Sequence, residues 1–94
     1  MNHCILVKWA EGKRPEIAPV KALFERLLTV PGIKGVKLRE NVTARPNRYD
    51  LLISIAMEPE ALEAYDAGEP HREWKRLYGP CIEKKAIFDC EDEF

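Results

Sequence analysis

Two histidines and one tyrosine are the residues of this 94-residue chain best suited to moving protons: His3 near the start, and Tyr65 and His71 downstream. Histidine, with an unperturbed pKa of about 6.5, gives and takes protons near neutrality. In a partly apolar pocket beside a tyrosine hydroxyl it could remove an acidic C–H proton and return it. His71 is the first candidate for general base. Tyr65 would orient it or hydrogen-bond a developing enolate oxygen, and His3 would bind a substrate oxygen. Trp74, three residues past His71, is the best aromatic contact for a ligand, with Ile5, Val7 and Leu51 as apolar lining. Trp9 and Tyr78 could extend that aromatic wall, although a small domain uses most of its aromatics to fill its interior. Structural roles compete strongly with these: His71 capping or covering a helix end, His3 exposed at a sheet rim, Tyr65 in the core.

Other chemistries find less support. Two histidines with Cys4 or Glu73 could meet a metal, but no His-x-x-His or Cys-x-x-Cys spacing holds two ligands together, so neither metal nor cofactor is expected. There is no glycine-rich phosphate loop and no Gly-x-Ser-x-Gly elbow, which removes nucleotide binding and triad hydrolysis. Three cysteines, Cys4, Cys81 and Cys90, are an odd number in a short chain and read as reduced thiols. Cys4 and Cys90 would fall at neighbouring ends of the first and last strands, where a redox bridge is geometrically conceivable.

The elements that must position these residues follow from periodicity. Cys4 to Trp9 is β-branched and apolar, a strand that ends in the polar loop Glu11 to Pro15. Ile17, Val20, Leu23, Phe24, Leu27 and Leu28 have helical spacing, with Pro19 in the first turn and Pro31-Gly32 as the stop. Ile33 to Glu40 alternates as a half-exposed strand near a sheet edge. Asn41 to Arg48 is a loop that the Asn41 side chain is expected to fix. Tyr49 to Met57 is the most continuous apolar run, a central strand. A second helix starts at Pro59; Glu69 to Tyr78 reads as a short helical turn and loop. Cys81 to Cys90 is a fourth strand, followed by the acidic end Glu91-Asp92-Glu93.

Two helices and four strands in βαββαβ order predict a single α+β domain over 1–94, a ferredoxin-like sandwich with an antiparallel sheet. In the first strand His3, Ile5, Val7 and Trp9 oppose Cys4, Leu6 and Lys8; in the third, Leu51, Ile53, Ile55 and Met57 oppose Leu52, Ser54 and Ala56. Both faces carry apolar residues and two helices cover only one. A homodimer formed sheet to sheet is therefore expected.

The order of several segments resembles the stress-responsive dimeric α/β-barrel family, Dabb. They are Asn2 to Trp9, Val30-Pro31-Gly32-Ile33, Glu40-Asn41-Val42, Tyr65 with Pro70-His71, and Ile87-Phe88-Asp89. The resemblance spans nearly the whole chain and implies a ferredoxin-like protomer dimerising into an α/β barrel. A plant branch, exemplified by olivetolic acid cyclase, closes a linear polyketide without cofactor, using histidine and tyrosine in a pocket between sheet and helices. His3, His71 and Tyr65 match that branch's histidines and tyrosine. Leu51 stands where it has a further histidine, and about Leu23 where it has a helix tyrosine, departures that set its particular reaction apart.

Fifteen basic and sixteen acidic side chains give a formal charge of −1, scattered along the chain. No footprint for nucleic acid or an anionic membrane results. No apolar run approaches the roughly 20 residues that span a bilayer, and the first nine residues do not form a secretory leader, so a cytoplasmic protein is expected. The function expected is a homodimer that binds a small hydrophobic or aromatic carbonyl compound, with cofactor-free acid/base catalysis by His71. The alternative is a stress-response or ligand-binding dimer with no catalysis.

Overall fold

The computed structural model describes residues 1–91; Asp92 and Glu93 of the acidic end lie outside the described residues. Four strands, β1 (Asn2–Trp9), β2 (Ile33–Glu40), β3 (Leu51–Met57) and β4 (Ile82–Cys90), form one antiparallel sheet in the order β2-β3-β1-β4. Three α-helices, α1 (Ile17–Glu25), α2 (Leu62–Ala67) and α3 (Glu69–Tyr78), accompany it. This is the expected ferredoxin-like α+β arrangement, with β2 at one edge and β3 inside.

Registry decides which face the helices cover. Ile5 sits opposite Ile53 on β3 and Ile87 on β4, and His3 opposite Ile55 and Asp89. Directly opposed residues share a face, so His3, Ile5, Val7 and Trp9 lie with Leu51, Ile53, Ile55 and Met57. All eight are buried, packing with Val20, Leu23, Phe24 and Leu27 from the first helical segment and with Tyr65 and Trp74. The helices seal the two middle strands: Val7 and Ile53 are both 0% exposed. They leave the β4 edge open, where Ile87 on that same face is 51% exposed.

Several boundaries differ from the sequence expectation. Glu69 to Tyr78 is a ten-residue α-helix, not a turn and loop. It presents only one buried residue, Trp74, so no apolar stripe announced it. What anchors it is aromatic: Trp74 packs edge-on against Phe24 at 4.9 Å and Trp9 at 6.2 Å, and a Glu73–Arg26 ion pair ties it to the end of the first helix. The first helix tightens to a 3₁₀ turn at Arg26–Thr29, and Pro59–Ala61 is likewise 3₁₀. β3 begins at Leu51, because the Asp50 carboxylate accepts the Trp9 N–H at 2.8 Å and closes the ladder by side chain. Asn41 fixes its loop as expected, donating to the Thr43 carbonyl at 2.6 Å.

Cys4 faces Phe88 and Cys90 faces Asn2 across the β1–β4 ladder, and all three cysteines are free thiols. Among the described residues no helix is long and apolar enough to cross a membrane.

Gly32 turns the chain into β2 with φ +90°, and a Cβ added there would meet the Ala61 Cβ at 3.0 Å; Gly12, at φ +75°, has open space around it. Gly32→Ala should therefore cost about 2–3 kcal/mol in a urea titration and Gly12→Ala only about 1 kcal/mol, because the first adds crowding to left-handed strain.

Candidate functional site

β1 enters beneath the junction of α2 and α3, and three rings meet there in series. The Tyr65 ring lies 5.3 Å from the His3 imidazole, edge-on, and 4.8 Å from the His71 imidazole. Tyr65 is the inward residue of the short α2. His71 follows in the first turn of α3, after Gly68 ends α2 in extended conformation and Pro70 restarts the helix. The three border a cleft of about 320 Å³ between the helices and the open β4 edge. Its apolar floor is Ile5, Leu62, Trp74 and Ile87, and Asp66, Lys75, Lys85 and Asp89 supply charge.

Hydrogen bonds fix both imidazoles. His3 is only 6% exposed, and its Nδ1–H donates to the Asp89 carboxylate at 2.5 Å. His71 Nδ1 is 3.0 Å from the Asp66 carbonyl, which can only accept, so Nδ1 carries the proton and Nε2 keeps its lone pair. Burial pushes the His71 pKa below the usual histidine value, aided by Lys75 and Lys85; the Asp66 carbonyl and carboxylate oppose this. The ring is thus neutral at pH 7 and able to accept a proton.

Burial also raises the Tyr65 phenol well above its ordinary value, with Asp66 adding to the effect, so Tyr65 acts only as a protonated donor or neutral acceptor. No hydrogen bond claims the Tyr65 hydroxyl among the described residues, and the residue, 1% exposed, borders the cleft from its buried side.

His3, Tyr65, His71, Ile5 and Trp74 are thus brought together. Val7 and Leu51 are not: both are sealed in the core, and neither borders this cleft. Sequence reading did not single out Asp66, Lys75 or Lys85, and placed Asp89 only within a family-like stretch. The usable signal was the alternation Lys85, Ile87, Asp89, which puts those three on one face of the last strand. Among the described residues no three His, Cys, Asp or Glu side chains gather as a metal-binding group.

Because folding holds His71 neutral, its protonation opposes the fold. As pH falls through about 6.5 the unfolded chain takes the proton first, so stability declines towards the lower folded pKa and levels off below it. Denaturation midpoints should drop more for the wild type than for His71→Gln between about pH 7.5 and about pH 5; equal drops would contradict the assigned burial effect.

No family model matches the sequence, and no curated protein matches it. Solved structures do share the fold. A dimeric ferredoxin-like protein of unknown function from Thermobifida fusca superposes with a TM-score of 0.76 at 17% identity, over 93% of this chain and 85% of that one. A Dabb family protein with a ferredoxin-like fold from Mesorhizobium loti gives 0.65 at 13%, over 99% and 96%. A hydroxynitrile lyase from Passiflora edulis gives 0.75 at 14%, over 99% and 94%. The chain has the ferredoxin-like fold of these proteins.

Proposed function

We propose that the protein is a Dabb-type homodimer whose cleft binds a small hydrophobic or aromatic carbonyl compound and transfers a proton on it without a cofactor. The observation that supports this reading is that three rings able to handle protons, His3, Tyr65 and His71, border one cleft with an apolar floor, each imidazole held through its Nδ1. His71 is the base for an acidic C–H. Tyr65, held protonated, donates to the developing enolate oxygen, and His3, whose Nδ1–H is given to Asp89, accepts through Nε2 from a hydroxyl on the substrate. That a hydroxynitrile lyase shares the fold supports an enzymatic reading, although fold alone assigns no reaction.

Acetophenone in D2O provides the test, with methyl H/D exchange followed by NMR. Exchange above buffer is expected, falling about 100-fold or more in His71→Ala and about 10-fold or more in Tyr65→Phe. No exchange by the wild type would leave a non-catalytic ligand-binding dimer.

Support for the dimer comes from the sheet face away from the helices. Cys4, Leu6, Leu52, Ala56, Ala86 and Phe88 share it by registry, and Phe88 is 66% exposed. Lys8 and Lys84 sit opposite each other at one end and Lys37 and Arg39 lie along the β2 side, so the apolar residues gather over β1, β4 and Leu52 of β3. The dimeric Thermobifida fusca protein has the same fold. Three free thiols suit a reducing, cytoplasmic setting. Sedimentation should give twice the 10.8 kDa of one chain, and Phe88→Asp should give the monomer; a monomeric wild type at micromolar concentration would remove the dimer.

A further inference from the structure

The cleft is electrically polarised along its length. On the β4 wall its residues run Lys85, Ile87, Asp89, spanning about 13 Å at the usual strand rise. On the helical wall they run Asp66, His71, Lys75, with His71 and Lys75 about 6 Å apart along the helix axis. The two walls are aligned in the same sense. His3, opposite Asp89, touches Tyr65 at one end. At the other, Lys85 is opposite Val7, two residues before Trp9, and Trp9 touches Trp74, the neighbour of Lys75. Both acidic side chains therefore lie at the histidine end and both lysines at the tryptophan end.

Asp89 is engaged by His3, while the Asp66 carboxylate forms no ion pair among the described residues. Lys75 and Lys85 are exposed and form no ion pair among the described residues. Two unpaired cations approach one end of an apolar slot from opposite walls, while the proton-handling groups occupy the other.

We propose that the cleft selects carbonyl compounds carrying a carboxylate remote from the reacting carbon, with Lys75 and Lys85 holding the carboxylate about a benzene ring's length from His71. This deepens the carbonyl-pocket reading and rests on it. The anion does no chemistry; it sets the direction in which the substrate enters, so that the carbonyl and not the acid reaches Tyr65 and His71. A neutral compound of the same shape would lack that orientation, and its affinity would be independent of salt.

4-Acetylbenzoate and its uncharged isostere 4-acetylbenzamide separate the two ideas, with binding read from the His71 and Tyr65 ring signals by NMR. The acid is expected to bind about fivefold or more tightly than the amide at low salt, the scale of two exposed ion pairs. That preference should vanish in the double variant Lys75→Gln/Lys85→Gln, and shrink as salt is raised to about 0.5 M. The quantity compared is the ratio of acid to amide affinity within each protein, and the dispersion of the variant's backbone amide spectrum reports that the fold is intact. Equal binding of acid and amide, or a preference that survives loss of both lysines, overturns the anion assignment and leaves the carbonyl pocket standing. Binding of neither compound overturns the pocket and the assignment together.

Discussion

A histidine under a layer of helices must have its ring nitrogens accounted for, and the way His3 meets that requirement organises the rest of the molecule. Antiparallel registry brings Asp89 opposite it, and the carboxylate takes the Nδ1 proton. The ring so held borders the cleft. A one-residue slip of β4 would turn Asp89 to the far face and strand the imidazole. The same slip would carry Lys85 and Ile87 away, so one registry holds the buried histidine, the floor and the cationic end of the cleft.

The cleft exists because the helical layer is narrower than the sheet. α1 and α3 close over β1 and β3 through Phe24, Trp74 and Trp9, and β4 extends beyond them. Covering that edge would have buried Ile87 and removed the space. Within the gap, burial acts oppositely on the two titratable rings at its centre. It favours neutral His71, a base, and protonated Tyr65, a donor. Such separation of an acceptor from a donor by environment is what proton transfer at neutral pH requires.

The strands were legible from their apolar, β-branched runs, and period two sorted His3, Ile5, Val7, Trp9 and Leu51, Ile53, Ile55, Met57 onto common faces; which face the helices cover was not legible, because both faces carry apolar residues. α3 was not legible either, since one tryptophan among seven polar or prolyl neighbours, with Leu77 and Tyr78 only at the end, carries almost no periodicity; its anchoring contacts are with residues 50 and 65 positions away. Of the cleft, the three rings His3, Tyr65 and His71 were legible from residue type. Asp66, Lys75 and Lys85 were not, because a charge on a helix or an edge strand reads as solvated surface until the opposing wall is known. Val7 and Leu51 illustrate the converse: apolar strand residues beside a pocket residue in sequence, they lie beneath the helices in the sealed core.

The central claim is that His71, Tyr65 and His3 form one proton-handling unit. An NMR pH titration of both imidazoles in the wild type and in Tyr65→Phe addresses it most directly. The expected result is a His71 pKa below the reference value of about 6.5 that moves when the Tyr65 hydroxyl is removed, with the His3 ring signals responding to the same substitution. A His71 that titrates at the reference value, with neither ring sensitive to Tyr65→Phe, would contradict the account and reduce the cleft to a gap at the edge of the sheet.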